Sequence, residues 1–179
     1  MRTYVAMIRG INVGGSKRVS MGDLRALFEA LGAEDVRTYV QSGNVVFRSA
    51  GKSPATLAKA IEDQVGEVLD LDVRVVVRTG KELAEIVGKN PFLEDGKDPA
   101  TLHVTFLEKK PSAIRTRDLP AAGGRPDEFR LAGREVYLRC PNGYGKTKLN
   151  NAFFEKKLGL AATTRNWRTV TTLAELANR

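Results

Sequence analysis

Residues 135–158 read Glu-Val-Tyr-Leu-Arg-Cys-Pro-Asn-Gly-Tyr-Gly-Lys-Thr-Lys-Leu-Asn-Asn-Ala-Phe-Phe-Glu-Lys-Lys-Leu. The first five alternate as a strand does, and residues 148–158 carry apolar side chains at helical spacing. Between them lies a glycine loop that ends in Gly145-Lys146-Thr147. Such a loop presents backbone N–H groups, the positive end of a helix dipole and a lysine, which together suit a phosphate. A full phosphate-binding loop has a glycine five residues before the Gly-Lys step, and that place is Cys140. Whether this junction is a damaged nucleotide motif or an ordinary strand-to-helix turn depends on the rest of the chain.

Upstream, residues 3–9 alternate as a strand, and Gly10-Ile-Asn-Val-Gly14-Gly15-Ser-Lys17-Arg18-Val follows as a glycine-rich loop. Ser20 is an N-cap for a helix whose apolar stripe is Leu24, Leu27, Phe28 and Leu31. Residues 36–40 and 45–48 are strands joined by the turn Gln41-Ser42-Gly43-Asn44. Ser53-Pro54 opens a second helix striped by Leu57, Ala58, Ile61, Val65 and Val68. Residues 72–79 make a valine-rich strand. The order strand, helix, strand, strand, helix, strand is that of a ferredoxin-like unit, a four-stranded antiparallel sheet with two helices on one face. A short helix over 81–87 and a polar loop over 93–99 follow. The order then repeats, with strands at 101–107, 128–131, 135–139 and 160–165 and helices at 111–119 and 148–158. Asn166 caps a terminal helix that starts at Trp167. The expected fold class is therefore α+β, with two tandem ferredoxin-like βαββαβ subdomains and an extra C-terminal helix. The expected division is 1–80, a helix and linker over 81–100, and 101–179.

The repeat changes the reading of the opening stretch. Gly51-Lys52-Ser53 stands where the third strand of the first half enters its second helix, as Gly145-Lys146-Thr147 does in the second. Both Ser53 and Thr147 then read as helix caps, and NTP hydrolysis falls away, since an antiparallel sheet is the wrong setting for it. Taking the first and third strands of each half as a parallel central pair sets loop 10–19 beside residues 48–53. It likewise sets Glu108-Lys109-Lys110 beside residues 140–148.

The 179-residue chain has a formal net charge of +8, which favours phosphorylated or polyanionic partners. Charged residues make up 28% and no apolar run approaches a membrane span, so no membrane role is expected. With one cysteine and no signal sequence the expected compartment is the cytoplasm. One histidine and one cysteine make no zinc site, and no cofactor or metal is expected. Candidate anion contacts are Asn12, Gly14, Gly15, Lys17, Arg18, Lys52, Gly145, Lys146 and Arg165. Cys140, near a helix N-terminus and Lys146, is a candidate low-pKa thiol. Tyr4 and Phe47, on the first and third strands, stand where RNA-recognition domains stack bases, but their expected role is as core or cross-strand partners.

Several stretches together resemble one bacterial family. They are Arg9-Gly-Ile-Asn-Val-Gly-Gly, Tyr39-Val-Gln-Ser-Gly-Asn-Val-Val-Phe47, Asn90-Pro-Phe, Leu102-His-Val-Thr-Phe-Leu107, Gly145-Lys-Thr-Lys-Leu149 and Thr164-Arg-Asn-Trp-Arg-Thr-Val170. The chain resembles domain of unknown function family 1697. That resemblance implies a cytosolic bacterial α+β protein with ferredoxin-like subdomains and brings no activity with it. The function expected from the residues is binding of a nucleotide, another phosphorylated small molecule or nucleic acid through basic glycine-rich loops. An enzyme on a small phosphorylated metabolite and a protein-interaction scaffold are the alternatives. Oligomeric state is left open.

Overall fold

The computed structural model describes residues 1–15, 18–120 and 125–179. The chain is an α+β protein with two four-stranded antiparallel sheets. It forms two compact units, one of Met1–Ala84 with Leu173–Arg179 and one of Glu85–Thr172.

The first unit is built from β1 (Arg2–Arg9), α1 (Met21–Ala30), β2 (Glu34–Tyr39), β3 (Asn44–Ser49), α2 (Pro54–Leu69) and β4 (Arg74–Thr79). Its sheet order is β2-β3-β1-β4. Alternation sends Tyr4, Ala6 and Ile8 of β1 to the same face as Val45 and Phe47 of β3 and Val75 and Val77 of β4. That face buries Leu24, Leu27 and Phe28 from α1 and Leu57, Ile61 and Val65 from α2. Tyr4, Phe47 and Phe28 form a ring cluster, with centroids 5.7 and 5.1 Å apart. Tyr4 and Phe47 are thus core, closed off by helices, which agrees with the core reading and leaves no base-stacking face. Gly43 fixes the turn into β3. Its φ is +77°, and a Cβ there would lie 2.9 Å from the Ile8 carbonyl oxygen.

The second unit holds part of α3 (Gly80–Gly88), then α4 (Pro91–Glu94), β5 (Leu102–Leu107), α5 (Ala113–Arg117), β6 (Glu128–Ala132), β7 (Glu135–Arg139), α6 (Asn151–Leu158), β8 (Ala162–Asn166) and part of α7 (Trp167–Ala177). Its sheet order is β6-β7-β5-β8, the first unit's order again. Leu107, Val136, Leu138, Cys140 and Ala162 face Phe154 and Leu158 of α6. Asn90 caps α4, which ends inside the stretch read as a loop, and its side-chain oxygen accepts from Phe92 N–H at 3.1 Å.

The two units agree in register as well as order. Ile8 donates to the Gly43 carbonyl at 2.9 Å, and Leu107 to the Arg134 carbonyl at 2.9 Å. A carboxylate on the second helix catches an N–H of the last strand in each. Glu62 accepts from Val75 at 2.8 Å and Glu155 from Ala162 at 3.1 Å. Val75 pairs with Ile8, and Ala162 with Leu107, so the positions are equivalent. Thr79 and Asn166 then cap the next helix, accepting from the N–H of Glu82 and of Thr169. The terminal helix α7 therefore has a counterpart in α3 and is no addition to the second unit alone. The division between units falls after Ala84 and before Leu173, inside α3 and α7.

One expectation is reversed. β1 and β3 run antiparallel, with Arg2 opposite Ser49 and Met7 opposite Asn44. A helix crossover brings β2 back in the direction of β1, and the hairpin then turns β3 the other way. Loop 10–15 and residues 48–53 therefore sit at opposite ends of the sheet. The same holds for β5 and β7, where Leu102 faces Arg139, so Lys109 and Lys110 lie away from Lys146.

Candidate functional site

The loop from β7 to α6 begins at Cys140, whose N–H donates to the Thr101 carbonyl at 2.8 Å. Gly143 has φ 89° and ψ 150°, a region in effect open only to glycine, and redirects the chain. Tyr144–Lys146 is one 3-10 turn. The chain then extends, with Lys146 and Lys148 exposed and Thr147 and Leu149 buried. Thr147 is extended and turns inward between the two exposed lysines.

Thr147 is not the helix cap. Its hydroxyl oxygen accepts from Leu149 N–H at 3.1 Å, while Asn150 caps α6 by accepting from Phe153 N–H at 3.0 Å. Both residue types suit an N-cap, and the choice follows from Leu149, which must enter the core before the helix starts. The Gly145-Lys146-Thr147 step is therefore removed from the helix N-terminus, and the dipole-assisted phosphate cradle is not what this loop forms. Cys140 is buried, which pushes its thiol up. A hydrogen bond with Thr147 acts the other way, and Asp127 raises it further. The expected low-pKa thiol is overturned because burial outweighs any nearby positive charge.

Lys146 and Lys148 line a groove of about 570 Å³ together with Arg125, Asp127 and Asn142, with Pro126 and Leu149 as its apolar part. Three cations face one carboxylate there. The volume lies within the usual range for small-molecule sites, about 300–1,000 Å³. Arg125 and Asp127 were not sequence candidates. They precede β6, and only the pairing of β6 with β7 brings them to this loop.

Within the first unit the described sequence candidates lie at two ends of the sheet. Lys17 lies outside the described residues. Asn12 uses its side chain to close its own loop, donating to the Val19 carbonyl at 3.0 Å and accepting from Val19 N–H at 2.8 Å. Gly14, Gly15 and Arg18 are exposed on that loop at the C-terminal end of β1. Lys52 is at the other end of the same sheet, where its carbonyl accepts from the Tyr4 hydroxyl at 2.8 Å. Gly145 and Lys146 are on the loop described above. Arg165 lies on β8, donating to the Thr163 hydroxyl at 2.7 Å and the Thr164 carbonyl at 2.9 Å. Burial pulls its pKa down to about 10, against the influence of Tyr144, and leaves it a cation at neutral pH. The residues that converge are Lys146, Lys148 and Arg125.

His103 is half-buried on β5 and its imidazole stacks on Tyr144 at 5.1 Å. Burial lowers its pKa, partly offset by the Thr101 backbone. No group of acidic, histidine and cysteine side chains suited to a metal occurs among the described residues. No helix among them is long and apolar enough to cross a membrane.

An α+β chain with two such sheets and a basic groove is a broad class, and comparison narrows it. The chain belongs to the family described as protein of unknown function, DUF1697, whose profile matches residues 1–137. The solved structure of conserved bacterial protein SP0830 from Streptococcus pneumoniae is similar in fold. It has a TM-score of 0.76 and 21% identity, over 98% of this chain and 98% of that one. No curated protein matches the chain. The family match takes in loop 10–19 and the turn at Gly43 and ends before the lysine loop.

Proposed function

We propose that this is a cytoplasmic protein of two tandem ferredoxin-like units whose second unit binds a small phosphorylated ligand, a nucleotide or similar diphosphate, in the groove at Lys146 and Lys148. The observation that carries the reading is the convergence of Arg125, Lys146 and Lys148 on a ligand-sized groove with Asp127 as its one carboxylate among the described residues. Lysine and arginine at close quarters make charge-assisted hydrogen bonds to phosphate oxygens. The net charge of +8 favours the approach of an anion, and salt weakens that attraction. A small ligand is favoured over single-stranded nucleic acid because Tyr4 and Phe47 are buried and offer no stacking face. Binding is favoured over catalysis because the Cys140 thiol is pushed up and buried.

Calorimetric titration of the full chain with ADP and with inorganic pyrophosphate tests this. Saturable binding of either at low salt is expected, weakening as salt rises, with AMP weaker than ADP. Heats of dilution alone for both compounds would sink the proposal.

A further inference from the structure

Lys146 and Lys148 sit in a segment fastened at both ends by side chains that the second unit has and the first lacks. At one end the Tyr144 ring lies on the His103 imidazole, centroids 5.1 Å apart and planes 27° apart. At the other end Asn151, the first residue of α6, accepts from the Thr164 hydroxyl at 2.7 Å. Thr164 in turn pairs with Thr105 at 2.7 Å, which leaves Thr105 as the donor.

The shared register shows what these residues replace. His103, Thr105 and Thr164 stand where the first unit has Tyr4, Ala6 and Val77. Thr105 is fully buried, and a buried hydroxyl costs stability unless it is hydrogen-bonded. The Ala6–Val77 pair fills the same place with no such demand. The threonine pair meets its demand by reaching Asn151, and so ties the start of α6 to the sheet.

We infer that His103, Tyr144, Thr164 and Asn151 are positioning residues that hold the segment between them so that Lys146 and Lys148 stay along the groove. A segment held in its binding shape loses less conformational freedom when a ligand arrives, which raises affinity without any contact to the ligand. This rests on the proposed diphosphate groove, and the two are separable by experiment.

The test compares Tyr144→Ala, Tyr144→Phe and the double variant Thr105→Ala/Thr164→Val, which installs the first unit's pair, all in the full chain. Two quantities are read: the rate of tryptic cleavage after Lys146 and Lys148 in the folded protein, and the Kd for pyrophosphate. In Tyr144→Ala and in the double variant, cleavage is expected to speed up several-fold and the Kd to rise about ten-fold, with no charge removed. Tyr144→Phe keeps the ring and is expected to stay within about two-fold of the parent on both measures. The double variant carries the residue pair that the first unit's core accepts and leaves the Tyr144 ring on His103, so it answers the question even if Tyr144→Ala unfolds. Parent-like cleavage in the double variant overturns the inference whatever pyrophosphate does. A parent protein that ignores pyrophosphate overturns the groove alone, and the cleavage rates still decide the positioning.

Discussion

The segment that leaves β3 and the segment that leaves β7 occupy the same place in two units with one strand order, and they end differently. In the first unit Ser53 caps α2 at once, its hydroxyl accepting from Thr56 N–H at 3.1 Å, and α2 runs 16 residues over Tyr4, Ala6 and Val77. In the second unit ten residues separate Arg139 from the Asn150 cap, and α6 has only 8. The sheet positions below are His103, Thr105 and Thr164, and side chains of the loop and of the helix start meet them. A long helix needs apolar residues beneath its first turns. A short one leaves that end of the sheet to polar groups, and a loop anchored there is long enough to carry two exposed lysines. The Gly-Lys-hydroxyl step is common to both junctions, and in the second its lysine lines a groove.

The strongest way to break this comparison is to reverse charge at each junction. Lys146→Glu/Lys148→Glu should raise the pyrophosphate Kd by roughly 100-fold or more, since a hydrogen bond to a charged group contributes about 1.5–3 kcal/mol. Lys52→Glu, at the matching junction of the first unit, should leave it within about two-fold. Equal losses from the two variants would show that the junctions are not distinguished by function.

The equivalence of the units is sharpened by their helix carboxylates. Glu62→Ala and Glu155→Ala each strand a buried backbone N–H, of Val75 and of Ala162. Each should cost about 1–3 kcal/mol in urea unfolding, and the glutamine variants, which keep an acceptor, should cost less. A loss at one site only would argue against a shared architecture. A smaller effect is expected at the caps. Ser53→Ala and Asn150→Ala should each cost about 1 kcal/mol. An Asn150→Ala variant as stable as the parent would return the cap to Thr147.

The smallest expected effect is one of pH. His103 is held below its ordinary pKa by burial, so the unfolded chain takes up its proton first as pH falls. Stability is then complete above the unfolded histidine value, about 6.5, and declines as pH drops below it. The first unit has Tyr4 at this position. The loss of Tm between pH 7 and pH 5 should therefore be smaller in His103→Phe than in the parent, and an identical loss would remove His103 from the acid response.

Much of the fold was legible from local patterns. Strand alternation, the Leu24-Leu27-Phe28 stripe and the caps at Ser20, Ser53 and Asn166 each rest on neighbours a few residues away. Two features differ from the expectation. The hairpin through Gly43 reverses the chain, so β3 runs against β1 and not with it. The cap at residue 150 was hidden because Thr147 and Asn150 are both good caps, and burial of Leu149 decides between them. The groove was half visible. Lys146 stood out beside its glycines, but Arg125 and Asp127 lie some twenty residues upstream and carry no local mark.

By itself the sequence determined the repeated order of elements, the basic balance of charge and the family to which the chain belongs. It did so because periodicity, capping and composition are properties of short stretches. The tertiary structure alone decided which candidates meet. Antiparallel pairing of β1 with β3 parts loop 10–15 from Lys52, and pairing of β6 with β7 brings Arg125 to Lys146. Convergence of charges depends on strand neighbours distant in the chain, and no short stretch encodes those neighbours.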